Sequence, residues 1–538
     1  MSAFTGTGAL ARLIVRRDRV LLPIWMLLLG ILPLSLASGT AQLFKTDAER
    51  QGYIDDLGGS PLLLLFYGTK PSDPSLGALI FWRSATGIVI LALIGVLFVI
   101  RHTRAEEEAG RRELIGAGVV GRHAPVAAAL VTMTGASLIV GALVALGMIS
   151  QDTPASGAAA MGIAWASAGI LFGAIGAITA QLSEGAGAAR GIGIAILGAS
   201  FGVRGAGDVA GGLSWLSWVS PLGWIYQVHA YAGDHWWVFG LIAVATAAFA
   251  LLSLRLSARR DVGAGLLPPS LGPASAAASL SGPLALAWRL HRGSLYGWLC
   301  GLGIVGGLLF GGVAKASADL LADNEQLKEI LERIGGASGA SDVFLAGTLG
   351  FGAIAVAAYG ISAALRMRTE EAALRSEALL ATGVSRLRWA ASHLVFAFLG
   401  PTAVMLVTGL TAGLFYGAST GEVGREVGRE VPRVMAGALV QLPAIWVLAA
   451  LTVAMFGLMP GRAAAIGWAA LSVCVVLGQI GAVLRLSQPL LDVSPFTHIP
   501  HVPGGPVTAA PLLTLTALTV LLVVAGLAGF RRRSVPVT

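Results

Sequence analysis

Arg104-Ala105-Glu106-Glu107-Glu108, followed by Arg111 and Glu113 and then by Leu114-Ile115-Gly116-Ala117-Gly118-Val119, occurs again as Arg368-Thr369-Glu370-Glu371, followed by Arg375 and Glu377 and then by Leu379-Leu380-Ala381-Thr382-Gly383-Val384. One inserted residue separates the two registers. The spacing is close to half of the 538 residues, so the chain reads as a duplication. Two further correspondences keep the same order. Val219-Ser220-Pro221, with Ile225 and Val228, returns as Val493-Ser494-Pro495 with Ile499 and Val502, and Arg16, Arg19 and Trp25 return as Arg289, Arg292 and Trp298.

Composition says what is duplicated. Hydrophobic residues make up 56% of the chain and charged residues 12%, with a mean hydropathy of +0.79, whereas a soluble domain carries roughly 25% charged residues. Apolar runs of about 20 residues, enough to cross a bilayer, fall near 20–40, 77–100, 124–148, 159–181, 188–204, 236–256, 293–313, 344–365, 391–416, 434–458, 464–484 and 508–530. The first lacks a signal-peptide cleavage pattern and reads as a retained helix. The fold expected is an all-α polytopic membrane protein whose twelve transmembrane helices form two parallel six-helix repeats, related by an axis along the membrane normal. Residues 1–256 and 284–538 are the halves. Residues 257–283, rich in Pro, Ala, Ser and Gly, read as a cytoplasmic linker without a fold of its own. The 73 glycines have no collagen-like period and suit close approach of helix backbones in lipid.

With the N-terminus inside, 24 of the 36 Lys and Arg lie on the inner side and 11 on the outer, with Arg83 within a span. The positive-inside rule therefore places both termini in the cytoplasm. The same scatter of short basic clusters between apolar runs argues against a nucleic-acid partner. Cys300 and Cys474 both sit in apolar runs and read as buried small hydrophobes, not as a disulfide. None of the four lysines follows a glycine, so no phosphate-binding loop of the G-x-x-x-x-G-K type exists. His498 and His501 lack neighbouring carboxylates or thiols, and no metal site is assigned. No nucleophile and base arrangement supports an enzyme, and no catalytic residue is expected.

Four groups of residues carry the mechanistic expectations. In the charged loops, Glu106 and Glu113, and Glu370 and Glu377, are placed seven apart on one face of a surface helix. Glu107 to Arg111 and Glu371 to Arg375 stand in the favourable i,i+4 order. The plain reading of one such loop is a solvated connector, but exposed charge has no packing reason to survive duplication, and two equivalent docking sites would retain it. Leu10, Leu13 and Ile14 opposite Arg12, Arg16 and Arg19, and a similar segment opened by Pro283, read as amphipathic helices before each half; stop-transfer charge is the alternative. The segments 204–235 and 485–507, with Val219-Ser220-Pro221 and Val493-Ser494-Pro495, read as re-entrant in the outer leaflet, or as ordinary loops with an aromatic belt. Arg83, beside Phe81 and Trp82, is the basic residue inside a span. It reads either as part of a substrate path or as a snorkelling side chain.

On these residues the chain resembles the membrane subunit of type-2 ABC exporters, specifically the fused twelve-span permeases of actinobacterial antibiotic and multidrug exporters of the tetronasin type. The resemblance covers the whole chain. It implies a bacterial cytoplasmic membrane location and export of hydrophobic or amphipathic compounds. It also implies that Arg104, Glu106, Glu107, Arg111 and Glu113, with Arg368, Glu370, Glu371, Arg375 and Glu377, are counterparts of the coupling helices. Two copies of a separate ATPase subunit would dock there, carrying the ATP and Mg themselves. The chain binds no cofactor in this reading. The second copy departs at Ala372 and Ser376, where the first has Glu108 and Arg112. Competing classes are an ion-coupled secondary transporter, which needs ionisable residues at mid-membrane, and a membrane-embedded enzyme, which needs acidic or His clusters that the loops lack.

Overall fold

An apolar run in lipid has no water to satisfy its backbone, so each must close its hydrogen bonds internally as a helix. In the computed structural model, which describes residues 2–57, 61–116, 118–209, 213–267, 274–312, 314, 340–419, 423–480, 487–506 and 508–534, every predicted run is mainly helical over its described residues. No strand occurs among the described residues. Among the described residues, eleven helices are long and apolar enough to cross a membrane. The remaining predicted run, 464–484, is the apolar helix Ala463–Ile480, followed by residues that are not described.

The chain divides into two compact units, Met1–Gly272 and Pro273–Thr538. In the first, α1 (Thr7–Arg17) and α2 (Leu21–Leu43) pack on α3 (Ala124–Ile149), and the centre is α4 (Ala155–Leu182). Trp165 and Phe172 on α4 have no exposed surface and meet Ile88, Met133 and Val140. Around α4 lie α3, the helix Ala85–His102, the helix Ala186–Val209 and the helix Trp237–Ala258. In the second unit the helices Ala340–Ala372, Leu442–Leu458 and Ala509–Arg532 enclose Tyr359, Trp389, Phe456 and Phe530.

Small residues set these spacings. A Cβ on Gly141 or Gly162 would collide with the other's carbonyl oxygen, and a Cβ on Gly457 would meet the carbonyl of Gly526. Backbone-to-backbone packing of this kind is how helices associate where lipid removes the hydrophobic driving force.

Four details differ from the sequence expectation. The run 77–100 is two helices, Leu76–Arg83 and Ala85–His102, joined at Ser84, so Arg83 ends a short helix instead of lying inside a long one. The amphipathic helix before the second half is not separate: Pro283–Trp298 continues through a π-helical stretch, Leu299–Gly306, into the span. In the first half α1 does stop, because Asp18 leaves the helix to accept from Arg101 (2.9 Å) and to meet His102 (2.8 Å). The residue at the matching place in the second half is His291, which stays helical. Residues 423–433, read as the connection before the run 434–458, belong instead to an amphipathic helix, Val423–Val440, packed on Arg386–Ser419. Finally, Cys474 is buried as expected but Cys300 is exposed.

Candidate coupling site

The two charged loops do not form single helices. In the first, the helix Arg104–Glu108 ends at Ala109, Gly110 takes a left-handed φ of 69°, and a second short helix runs Arg111–Gly116. In the second, Leu374 takes a φ of 59° between Ala340–Ala372 and the helix Arg375–Leu380. A left-handed residue resets the helical register, so the expected i,i+4 pairs do not form. Arg111 instead reaches Glu106 at 2.6 and 3.0 Å, and Arg375 reaches Glu370 at 2.7 and 3.1 Å. Nor do Glu106 and Glu113, or Glu370 and Glu377, share one helical face. The break falls at the same place in both copies, on Gly110 in one and on Leu374 in the other.

The second glutamate of each pair is buried. Glu107, with its side chain 1% exposed, gathers three arginines: Arg104 at 2.7 Å, Arg260 at 2.8 and 3.0 Å, and Arg112 in direct contact. Glu371, also buried, takes both guanidinium nitrogens of Arg533, one at 2.6 Å. Arg260 and Arg533 each follow the last helix of their unit, and they stand the same 273 residues apart as Arg16 and Arg289.

The far end of each loop meets the same arginine. Arg122 donates to the Arg260 carbonyl at 2.7 Å, and Arg386 donates to the Arg533 carbonyl at 2.6 Å. In each unit, then, the loop between the second and third spans is fastened at both ends to the residue that follows the sixth. The structure repeats a three-residue clamp: Glu107, Arg260 and Arg122 in one unit, and Glu371, Arg533 and Arg386 in the other.

Burial corrects one premise. The loop charges were expected to be exposed, yet Arg104, Glu107, Glu370 and Glu371 are 8% exposed or less. Arg104 donates to the carbonyls of Glu184 (2.6 Å), Gly263 (2.7 Å) and Ala264 (2.9 Å), and Arg260 reaches Gln181 at 2.8 Å. Residues 259–267, read as part of a linker without a fold, are thereby held against the first unit. Burial, and then the charges of Arg260, Arg122 and Arg104, push the Arg112 guanidinium down to about 10. Arg260 is likewise pushed to about 10, by burial and then by Arg104 and Arg122. Three or more cations around one carboxylate leave a local positive surplus.

Other loop residues face outward. The Arg111 side chain is 49% exposed, and the hydrogen bond and charge of Glu106 raise its affinity for a proton. Glu113 is exposed and Glu377 half-buried. Arg368 is partly exposed and donates to the Gly461 carbonyl at 3.2 Å, so it does not copy Arg104. Glu106 also pairs with Arg17 of α1. Between α1 and this loop lies a recess of about 470 Å³ lined by Leu10, Leu13, Ile14, Glu106 and Arg111, among others. The departures in the second copy have structural counterparts. Glu108 accepts from the Ala186 amide at 2.9 Å and Arg112 meets Glu107, contacts that Ala372 and Ser376 lack the groups to make.

The Val-Ser-Pro motifs lie in connections before the last helix of each unit. Ser220 is the N-cap of the helix Pro221–Tyr226, accepting from the Gly223 amide at 3.1 Å and donating to the Ser200 carbonyl at 2.7 Å. Ser494 precedes the 3-10 helix Pro495–His498 with the same extended backbone but no side-chain cap. Val219 and Val493 are exposed. Trp218 and Trp237 stack at 5.3 Å and the Trp224 indole donates to the Trp218 carbonyl at 2.6 Å. Phe81 and Trp82 are buried, while Arg83 donates to Thr40 at 2.6 Å and lies 5.6 Å from the Tyr53 ring. Arg204, at the end of the run 188–204, is fully buried and paired with Asp208 at 3.4 Å.

Comparison with known proteins gives the chain's family. Residues 280–531 match the family model described as "Multidrug efflux system permease Rv1217c, C-terminal domain". Over 537 residues, 99% of this chain and 96% of the relative, the sequence is 43% identical to "Multidrug efflux system permease protein Rv1217c" of Mycobacterium tuberculosis (strain ATCC 25618 / H37Rv). The chain, a membrane protein built of two clamped helical units, belongs to the family of multidrug efflux system permeases.

Proposed function

We propose that this chain is the membrane subunit of an ATP-driven exporter of the type-2 ABC class. In this reading it moves hydrophobic or amphipathic compounds, drugs and antibiotics among them, out of the cell. Two copies of a separate ATPase subunit, which carry ATP and Mg, dock at the segments 104–116 and 368–380. The chain itself has no ATPase site. The observation that carries the reading is the repeated clamp. A segment that is to pass on the motion of a docked partner must be tied to the spans it moves, and both segments are tied to the end of the sixth span of their unit. Glu107 and Glu371 then position the segment, while Arg111, Glu113, Arg375 and Glu377 present its surface. The recess beside α1 widens the first docking face.

Inverted membrane vesicles test this. With the ATPase subunit co-expressed, uptake of a lipophilic fluorescent dye should follow ATP addition, survive a protonophore and stop with a hydrolysis-deficient ATPase. The ion-coupled reading gains one observation from the structure, the Arg204–Asp208 pair inside the helix Ala186–Val209. It predicts the reverse, uptake abolished by the protonophore and indifferent to the ATPase.

A further inference from the structure

The first unit contains a polar cavity at the end of the helix Ala85–His102 remote from the charged loop. The two ends are about 27 Å apart, from 18 residues at about 1.5 Å each. The cavity has a volume of about 410 Å³, within the range of roughly 300–1,000 Å³ that small-molecule sites occupy. Its walls include Tyr67, Phe81, Trp82 and Tyr226 on one hand, and Lys70, Arg204, Asp208, His229 and His235 on the other.

Arg204 makes the cavity unusual. The residue has no exposed surface, and its guanidinium lies over the rings of Phe201 and Tyr226, at 5.0 and 4.4 Å. One nitrogen, Nη2, donates to the Leu65 carbonyl. Nε and Nη1 have no hydrogen-bond acceptor, since Asp208 Oδ2 is 3.4 Å from Nη1 and is itself without a donor. Burying charged donors unspent is costly, because a buried polar group without a partner loses its hydration and regains nothing. Here the unspent donors border a cavity, where a ligand can supply the missing partner.

The charges facing the cavity are Arg204, Lys70 and Asp208, a surplus of one positive charge when both histidines are neutral. Lys70 is half exposed and bonded to Asp55 at 3.2 Å. His235 meets the Gln227 carbonyl at 3.0 Å and His229 at 3.3 Å, so neither ring adds a fixed negative partner. The aromatic wall is ordered: Trp82 donates to the Gly68 carbonyl at 2.9 Å and meets the Tyr67 ring edge-on at 5.2 Å.

We propose that this cavity binds an amphipathic organic acid, its carboxylate accepting from Arg204 and Lys70 and its aromatic or aliphatic body lying against Phe81, Trp82 and Tyr67. Asp208 sets the limit of the site, since it balances the Arg204 charge from 3.4 Å without a hydrogen bond and repels a second negative charge. The proposal rests on the first unit alone and is independent of how transport is driven.

The test uses the full chain in lipid nanodiscs with 2-naphthoate as probe, and 2-naphthamide and 2-naphthylmethylamine as the neutral and cationic forms of similar shape. Binding is read by equilibrium dialysis against empty nanodiscs. The expected result is acid bound at least ten-fold more tightly than amide, with the amine weakest. Lys70→Gln, at the rim, should lower acid affinity several-fold and leave amide binding unchanged. The paired variant Arg204→Gln with Asp208→Asn, which removes both charges together, should abolish the preference for the acid. Equal affinity for acid and amide, tighter binding of the amine, or acid binding no greater than to empty nanodiscs would overturn the proposal. Because the preference of the unaltered protein and the Lys70 variant decide the matter, failure of the paired variant to fold does not shelter it.

Discussion

Arg122 donates to the backbone carbonyl of Arg260 at 2.7 Å, and the side chain of Arg260 in turn reaches Glu107 at 2.8 and 3.0 Å. The residue after the sixth span thus closes the loop between the second and third from both sides. Arg386, Arg533 and Glu371 repeat the arrangement. Coupling by separate partners needs such rigidity, because a docked subunit that moved only a loose connector would do nothing to the spans.

The clamp predicts a ranking of substitutions. Glu107→Ala leaves Arg104, Arg112 and Arg260 buried without their carboxylate and should cost about 3–5 kcal/mol, the range for breaking a buried pair. Arg260→Gln should cost less, since Glu107 keeps two arginines. Arg533→Gln should be worse than Arg260→Gln, because Arg533 is the ion-pair partner that the described residues give Glu371. Thermal unfolding of each purified variant in detergent gives the order; equal midpoints for Arg260→Gln and Arg533→Gln would contradict it.

The surface positions should behave differently. Arg111→Ala and Glu113→Ala remove exposed groups, and a surface pair contributes about 0–1 kcal/mol. Their thermal midpoints should stay near that of the parent while ATPase co-purification or ATP-driven uptake falls. Stable variants that retain full coupling would move the docking surface elsewhere.

The serine caps should separate the two halves. Ser220→Ala removes both a cap and a buried hydrogen bond and should destabilise by about 1–2 kcal/mol. Ser494→Ala, which removes no cap, should cost less. Unfolding midpoints of the two variants compare them directly.

Gly526 lies against the backbone of Val453 and Gly457. Gly526→Ala should therefore force the last helix outward and cost about 1–3 kcal/mol as overpacking. Gly240→Ala, which meets nothing nearby, is the control in the same thermal assay, and equal loss in both would show that helix spacing is not set by contact.

Much of this was legible in the residues. Among the described residues, hydropathy locates the long apolar helices, though not the break at Ser84 or the start of the helix Val423–Val440, and the repeated Arg-x-Glu-Glu loops mark the segment that the structure ties down. Their pairing was not legible, for two reasons. Gly110 and Leu374 break the register by adopting positive φ, and Leu374 carries no compositional sign of it. The clamp partners lie 153 and 162 positions along the chain from Glu107 and Glu371, beyond any local pattern. A signal did exist, because Arg260 and Arg533 keep the spacing of Arg16 and Arg289. Arg204 was missed because it sits at the tip of an apolar run, where composition reads a loop charge and only packing shows burial.

A duplicated docking loop on one chain calls for two ATPase subunits per permease. Native mass spectrometry of the complex, purified through a tag on this chain after co-expression with the ATPase subunit, should show one copy of this chain with two ATPase subunits, falling toward one or none when Glu113, Arg375 and Glu377 are replaced by Ala. A parent complex holding two copies of this chain, or this chain transporting in full with no ATPase bound, would contradict it.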